Sequence, residues 1–405
     1  MLTCFGKRLR RALIVAIGMW AFAPLAASAQ SGSPIILPAR LDTLAGDFLL
    51  LDVAVNGTPF TCALDSGGSR VFRVDEEKAL RAGLTPTGVG LSAGAGPTVD
   101  PDKRLHGARL TLAAMTPAGV ALHDRTVVIS PLPPAAAWAG FDCVMGQALL
   151  RDYAIELDYV TPRVTLFDPG TYRPSPRAQV IPFTLDRDNP YADVTLHFGE
   201  QDSTTVRMML DTGASYYAAL LTRDALTAHK VSSRIGRTAE RPEPVGNLSL
   251  TAARLTRVTV GGVAMEQPVV ALLSSSSAGL SGDGLVGAGF FRRFHVAFNY
   301  VKREMYLDPN ARVAEPQTFD ASGVGFVRQD PASPYVVDIV LPGSPTASAD
   351  LRKGDELVSI DGDDAGPLTQ RELRARLSRA GETCILRLRR GDRTHVVTVV
   401  LRPRL

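Results

Sequence analysis

Cysteine and histidine are scarce in this chain of 405 residues, which has four cysteines and six histidines. The cysteines show no C-x-x-C spacing, and the histidines are scattered without an H-E-x-x-H motif. Zinc and other transition-metal sites depend on such closely spaced soft ligands. We therefore expect no metal, and the sequence indicates no other cofactor.

An excess of charge of one sign is also lacking. The chain has 44 Lys and Arg against 41 Asp and Glu, and four of the basic residues fall within residues 1–29, which have no acidic residue. Residues 30–405 therefore hold 40 basic against 41 acidic side chains. A chain so close to neutrality gives no electrostatic reason to bind nucleic acid.

Long apolar runs are absent after the N-terminus, so no later segment predicts a membrane span. At the N-terminus, basic residues 7–11 precede the apolar run 12–25, and Ala27-Ser28-Ala29 has the small-residue pattern of a cleavage site. This pattern predicts a signal peptide over residues 1–29, and an uncleaved anchor is the alternative. We expect an exported protein, periplasmic or secreted, with no stable membrane span after cleavage.

An internal repeat relates residues 48–169 to residues 191–309. Each half opens with alternating apolar and polar residues, which predicts a half-buried strand. Each half then has an apolar strand that ends in an Asp-hydroxyl-Gly turn: Asp65-Ser66-Gly67 in the first and Asp211-Thr212-Gly213 in the second. Residues 170–190, rich in Pro and Arg, are predicted to link the two halves.

A second motif follows at a similar distance in both halves. Two apolar residues precede Gly146, which lies 81 residues after Asp65, and two precede Gly287, which lies 76 residues after Asp211. A single Asp-Thr-Gly is usually an ordinary turn after a strand. Two copies in register with a repeat, each followed by apolar-apolar-Gly, indicate a functional site rather than two ordinary turns.

These paired motifs resemble those of the pepsin and retropepsin superfamily of aspartic peptidases. The resemblance covers about residues 48–309. It implies a mainly β, two-lobed acid-protease fold and an aspartic-type endopeptidase (a hydrolase) that acts on peptide or protein substrates. Asp65 and Asp211 would be catalytic. The supporting residues would be the hydroxyls that bond between the lobes and the glycines beside them: Ser66, Gly67, Thr212, Gly213, Gly146 and Gly287.

The chemistry that this resemblance implies is physically consistent. Two carboxylates held close together share a proton, so one acts as a base toward water while the other polarises the scissile carbonyl. Many pepsin-like enzymes carry a hydroxyl directly after the motif glycine, but Gly68 and Ala214 stand there in this chain. We therefore predict a weakly acidic rather than a strongly acidic optimum.

Two further expectations concern the first lobe. The glycine-rich segment Gly88–Gly96 is a candidate flap over the substrate or a plain loop, and a weaker counterpart lies near residues 244–248. Cys62 lies three residues before Asp65, and Cys143 lies three residues before Gly146. If their strands are neighbours, these cysteines either form a disulfide or remain two buried thiols.

The sequence changes character from about residue 318. Gly323-Val324-Gly325-Phe326 resembles the carboxylate-binding loop of PDZ domains, and residues 351–362 resemble the run that follows it in bacterial PDZ domains. Thr369 and Glu372 form a capping box at the start of an amphipathic helix. The resemblance implies a small α+β domain that binds peptide C-termini or partner proteins.

The predicted organisation is a signal peptide (1–29), two protease lobes (30–170 and 180–310) and a PDZ domain (318–405). The alternative function is a non-catalytic, peptide-binding PDZ scaffold protein of the cell envelope. A dimer of single-lobe retropepsins is disfavoured because Asp65 and Asp211 lie in one chain.

Overall fold

We describe the computed structural model over the residue ranges 33–42, 47–55, 57–68, 72–84, 90–91, 104–108, 115–117, 127–132, 139–214, 216–241, 250–274, 280–329 and 332–405, together with residues 120 and 136. The predicted signal peptide, the flap segment apart from Gly90 and Leu91, and its counterpart near residues 244–248 lie outside them. None of the helices in these ranges has the length and apolar character needed to cross a membrane.

Up to residue 170, the described residues include strands and the short helices α1 (Glu76–Arg81) and α2 (Gln147–Leu150). Its strands are β1 (Ile35–Pro38), β2 (Arg40–Leu41), β3 (Leu49–Val55), β4 (Thr58–Leu64), β5 (Phe72–Asp75), β6 (Gly90–Leu91), β7 (Arg104–Ala108), β8 (Met115–Pro117), β9 (Val127–Ser130), β10 (Cys143–Met145), β11 (Ala154–Asp158) and β12 (Arg163–Phe167).

The described residues of the next part, up to residue 309, include helices α3 (Arg223–Ala228) and α4 (Ala288–Phe291) and a 3-10 turn (Val231–Ser233). Its strands are β13 (Gln179–Pro182), β14 (Thr184–Asp186), β15 (Asn189–His197), β16 (Ser203–Leu210), β17 (Ala219–Leu221), β18 (Thr238–Glu240), β19 (Leu250–Arg254), β20 (Arg257–Val260), β21 (Val263–Glu266), β22 (Val269–Leu273), β23 (Gly284–Val286), β24 (Phe294–Asn299) and β25 (Glu304–Pro309).

Two large sheets repeat one strand order, which confirms a mainly β, two-lobed fold. The first lobe has the order β2-β3-β4-β10-β5-β9-β7-β6, and the second has β21-β20-β15-β16-β23-β17-β22-β19-β18. The central run β3-β4-β10-β5-β9 therefore matches β15-β16-β23-β17-β22. In each lobe the strand that leads to the Asp pairs in parallel with the short strand that leads to the motif glycine.

A third sheet joins the lobes, in the order β1-β12-β11-β24-β25-β13. Its centre is the antiparallel pair β11 and β24, with Ile155 opposite Phe298 and Leu157 opposite Val296. These side chains are buried because every second residue of each strand faces the common core. The predicted link 170–190 is thus not a plain connection, since it contributes β13 to this sheet and β14 to the second lobe.

The remaining residues, from about 318, form a separate small sheet with its own apolar core. Its strands are β26 (Val324–Val327), β27 (Tyr335–Val340), β28 (Glu356–Ile360), β29 (Asp363–Asp364), β30 (Thr383–Arg390) and β31 (Arg393–Val400), in the order β26-β27-β28-β30-β31 with β29 on β28. Helix α5 (Gln370–Leu377) begins with the predicted capping box, because Thr369 and Glu372 bond each other's backbone N–H. We call residues 318–405 the C-terminal unit.

Candidate active site

The two motif aspartates lie at equivalent strand ends. Asp65 follows β4, and its backbone N–H donates to the carbonyl of Met145 in the parallel neighbour β10 (2.9 Å). Asp211 follows β16, and its N–H donates to the carbonyl of Val286 in β23 (3.0 Å). Both aspartates therefore leave their sheets at the same point of the repeat, where the chain turns away from the ladder.

The hydroxyl residues after the aspartates bond to the opposite lobe. Ser66 Oγ donates to the carbonyl of Leu210 (2.7 Å) and accepts from the N–H of Thr212 (2.9 Å). In return, Thr212 Oγ1 accepts from the N–H of Ser66 (3.0 Å) and donates to the carbonyl of Leu64 (3.4 Å). Both hydroxyls are buried. These reciprocal bonds fix the two aspartate turns against each other.

The motif glycines leave room for the opposite carboxylate. A Cβ on Gly67 would lie 2.5 Å from Cγ of Asp211, and a Cβ on Gly213 would lie 2.2 Å from Cγ of Asp65. Both distances are far inside van der Waals contact, so a side chain at either position would push the carboxylates apart. Glycine is required at these two positions by the close approach of the carboxylate from the other lobe.

The glycines of the second motif stand at the N-terminal ends of the short helices α2 and α4. Gly146 and Gly287 are the residues before those helices. A Cβ on Gly287 would lie 2.6 Å from the carbonyl oxygen of Tyr217 and 2.7 Å from that of Ala214. Gly287 thus lets the helix pack against the loop that follows Asp211.

The buried carboxyls of Asp65 and Asp211 interact with each other, and both have raised pKa values. Burial is the main cause for each, and the neighbouring charge of Asp65 raises the pKa of Asp211 further, well above the ordinary value. Hydrogen bonds from backbone N–H groups, such as that of Gly213 to Asp211 Oδ1 (2.8 Å), oppose the shift. The pair therefore retains a proton to higher pH than isolated aspartates would.

Sequence reasoning missed Tyr300, which follows β24 and contacts the first aspartate turn. Its hydroxyl donates to the carbonyl of Ser66 (3.2 Å), and the side chain is buried. Burial, together with the charges of Asp65 and Asp211, raises the pKa of Tyr300 well above its ordinary value. The signal was present in the repeat, because Tyr159 ends the corresponding strand of the first half.

Asp47 was also missed, and no local motif marks it. It is fully buried (0% exposed) in the first lobe and ion-pairs with Arg292 of the second (Oδ1 to Nη1, 3.0 Å). Its other oxygen accepts from the N–H of Tyr216, five residues after Asp211. Tyr216 has φ of 74°, in the left-handed region that bulky residues rarely occupy. Asp47 therefore supports the second aspartate loop from across the lobe boundary.

The two cysteines that the sequence placed near the aspartates form a disulfide. Cys143 lies opposite Cys62 in the parallel pair of β10 and β4, and the structure joins their sulfurs. The bond lies three residues before Asp65 and is buried. Cys384, in the C-terminal unit, is a buried free thiol.

The predicted carboxylate-binding residues lie apart from this site, at the edge of the small sheet. Gly323 has φ of 79°, and the edge strand β26 begins at Val324. Asp320 already accepts hydrogen bonds from the N–H groups of Gly323 (2.8 Å) and Ser322 (3.1 Å). The N–H of Val324 donates to Ser322 Oγ (3.2 Å). The N–H groups of Ser322 and Gly323 therefore already bind a carboxylate, that of Asp320 in the same chain.

The other two residues of that motif, Gly325 and Phe326, are buried within β26. The Phe326 carbonyl accepts from Nε2 of Gln370 at the start of α5 (2.9 Å). This bond connects the edge strand to the helix that flanks it. Within the residues that the structure describes, no three His, Cys, Asp or Glu side chains come together as metal ligands would.

No family model matches the chain, and no curated protein matches it in sequence. Among solved structures, the chain is similar to the aspartic proteinase from Irpex lacteus, with a TM-score of 0.44 and 13% sequence identity. The similarity covers 70% of this chain and 100% of that one. The chemistry of the site therefore rests on the chain's own residues.

Proposed function

We propose that this chain is an aspartic-type endopeptidase. One observation carries the proposal: each lobe supplies an aspartate, Asp65 or Asp211, and the reciprocal bonds of Ser66 and Thr212 hold the two turns together. The raised pKa of both carboxyls fits a pair that shares one proton.

The geometry supports hydrolysis without a covalent intermediate. One carboxylate accepts a proton from a water molecule while the water oxygen attacks the carbonyl carbon of the peptide bond. The protonated partner donates to the carbonyl oxygen, which gives a tetrahedral diol. The carboxyl that took the water proton then donates it to the amide nitrogen, and the other carboxylate takes the proton of one diol hydroxyl as the C–N bond breaks. The products are a carboxylic acid and an amine, and the pair again holds one shared proton. The microscopic position of the shared proton belongs to the pair.

Two groups in the site keep this pair in place. The buried hydroxyls of Ser66 and Thr212 bond to backbone groups of the opposite lobe, so they orient the aspartates without competing for the shared proton. Tyr300 donates to the Ser66 carbonyl and stays neutral because its pKa is raised, so it adds no charge near the carboxyls. Both effects favour a fixed, proton-sharing dyad.

For the C-terminal unit we propose a PDZ-like role, the binding of peptide C-termini or partner proteins. Support comes from β26, the outermost strand of the small sheet among the described residues, which lies beside α5 and to which a peptide strand can add. The N–H groups of Ser322 and Gly323 hold the carboxylate of Asp320, and a peptide carboxylate would compete with it. A labelled peptide with a free C-terminus should bind, and its C-terminally amidated form should not. Equal binding of both forms would reject this role.

We also propose that the protein is exported to the periplasm or the exterior. The N-terminal pattern of residues 1–29 supports export, and the disulfide between Cys62 and Cys143 suits an oxidising compartment. N-terminal sequencing of the protein purified from the producing cells would test this, with residue 30 as the expected first residue. An intact N-terminus would contradict cleavage.

Cleavage of a mixed peptide library at pH 3 to 8 tests the main proposal. The variants Asp65→Asn and Asp211→Asn should each lose cleavage, because either change removes one member of the pair. Asp52→Asn and Asp193→Asn are matched controls, since these exposed aspartates occupy equivalent positions in the two opening strands. Peptide binding without cleavage at any pH would instead support the non-catalytic peptide-binding scaffold.

A further inference from the structure

The segment that leads from the second lobe to the C-terminal unit contacts the second aspartate loop. Gln317 in this segment is almost fully buried (4% exposed). Its Oε1 accepts from the N–H of Val269 at the start of β22 (2.8 Å), and its Nε2 donates to the carbonyl of Tyr216 (2.6 Å). One amide side chain thus bridges the sheet of the lobe and the loop that carries Asp211.

The backbone conformation of Tyr216 is strained and needs support from neighbouring groups. Its φ of 74° is unfavourable for an aromatic residue, and such strain persists only where surrounding groups enforce it. On one side, Asp47 accepts from its N–H, and Arg292 holds Asp47 by an ion pair. On the other side, Gln317 donates to its carbonyl. Both backbone polar groups of the strained residue are therefore bound by side chains from outside the loop.

The linking segment is itself anchored, so Gln317 has a fixed place from which to act. The backbone carbonyl of Gln317 accepts a hydrogen bond from Arg254 Nη1 (3.1 Å). The buried side chain of Phe319 packs into an apolar cluster of the second lobe. The hydroxyl of Tyr216 donates to the carbonyl of Thr318 (3.3 Å). The aspartate loop and the start of the C-terminal unit therefore share contacts over three consecutive residues, 317–319.

We propose that Gln317 is a positioning residue for the second catalytic loop, so that the placement of Asp211 depends on the segment that attaches the C-terminal unit. The inference rests on the proposed peptidase function. Without the amide of Gln317, Tyr216 can relax from its left-handed backbone, and the turn from Asp211 to Tyr216 shifts with it. Small displacements of a catalytic group cost large factors in rate, because the reacting atoms must be aligned.

The test compares Gln317→Glu, Gln317→Met and the control Val313→Ala, an exposed position in the same segment. Ionised glutamate retains an acceptor for the Val269 N–H and has no donor for Tyr216, whereas methionine removes both hydrogen bonds in any protonation state. We expect kcat to fall roughly tenfold or more in both Gln317 variants, with KM changed less than about threefold. Val313→Ala should match the wild type. Unchanged kcat in folded Gln317→Met would overturn the inference while leaving the peptidase proposal intact.

Amide hydrogen exchange gives a second readout that does not need activity. The peptide segment 211–217 should exchange faster in both Gln317 variants, and at the wild-type rate in Val313→Ala. Segments of the first lobe should be unchanged in all variants. If the wild type fails to cleave any peptide, the proposed function fails, and exchange in segment 211–217 still decides whether Gln317 holds the loop. Unchanged exchange there would overturn the inference.

Discussion

Ser66 Oγ lies 2.7 Å from the carbonyl oxygen of Leu210, a residue 144 positions later in the chain and in the other lobe. The same oxygen accepts from the N–H of Thr212. One buried hydroxyl of the first lobe therefore satisfies two backbone groups on either side of Asp211. The placement of each aspartate is set by the opposite lobe.

Ser66→Ala should weaken both stability and catalysis. It leaves the carbonyl of Leu210 and the N–H of Thr212 buried without their present partner, which costs about 1–3 kcal/mol for each group. Denaturant unfolding should show a loss of about 2 kcal/mol or more, and kcat should fall roughly tenfold. Ser66→Thr keeps the hydroxyl, since threonine stands at the equivalent position 212. It should retain most of the stability and most of kcat. Equal losses in the two variants would show that the hydroxyl is not the cause.

Asp211→Asn should stabilise the protein toward neutral pH. The folded-state pKa of Asp211 is raised, so its carboxyl favours folding below the unfolded value of 3.8, and that contribution is lost as the pH rises through the folded pKa. Asparagine does not titrate. The gain in Tm over the wild type should therefore grow between pH 4 and 7. The exposed Asp193→Asn should show no such trend, and a flat difference for Asp211→Asn would contradict the assignment.

The pH dependence of cleavage should be weakly acidic. At low pH the carboxylate that acts as base becomes protonated, and both folded-state pKa values lie above 3.8. At higher pH the pair loses its shared proton. The measurement is kcat/KM from pH 2 to 8, and a maximum near pH 2 would refute the prediction.

A hydroxyl at position 214 should move that profile toward acid. Ala214 follows the motif glycine, and Ala214→Ser places a donor beside Asp211, which favours the charged carboxylate and lowers its pKa. Gly68→Ser makes the corresponding change near Asp65, because a Cβ on Gly68 would lie 3.0 Å from Asp65 Oδ2. Gly68→Ala controls for the added volume. A profile that moves equally in Gly68→Ala and Gly68→Ser would assign the effect to packing.

Removing the disulfide should destabilise the first lobe. Cys62 and Cys143 are separated by 81 residues, and closing a loop of that length contributes about 4 kcal/mol in the chain-entropy estimate. The double variant Cys62→Ala/Cys143→Ala should unfold at a lower denaturant concentration than the wild type. Reductant should lower the unfolding midpoint of the wild type to that of the double variant. Cys384→Ala should respond to reductant as the wild type does, since that thiol is free. No effect of reductant on the wild type would contradict the prediction.

Much of the site could be predicted from the repeat. Alternation in the opening strands placed Val53 and Val55 inside, and they are buried. The two Asp-hydroxyl-Gly turns were found because local sequence fixes a turn after an apolar strand. The sequence left open whether the strands of Cys62 and Cys143 are neighbours, and the structure pairs β4 with β10 and β16 with β23. The capping box at Thr369 could also be predicted from local sequence, because its two partners lie three residues apart.

Local sequence alone determined the strands, the aspartate turns and the helix start, because short-range backbone preference and the burial of alternate side chains decide them. Tertiary structure decided the rest. Asp47 forms an ion pair with Arg292, which is 245 residues away in sequence, and Gln317 donates a hydrogen bond to Tyr216, which is 101 residues away. These pairs have no periodicity to reveal them. Their bonds form only where two lobes and a linking segment bury polar groups that water can no longer satisfy.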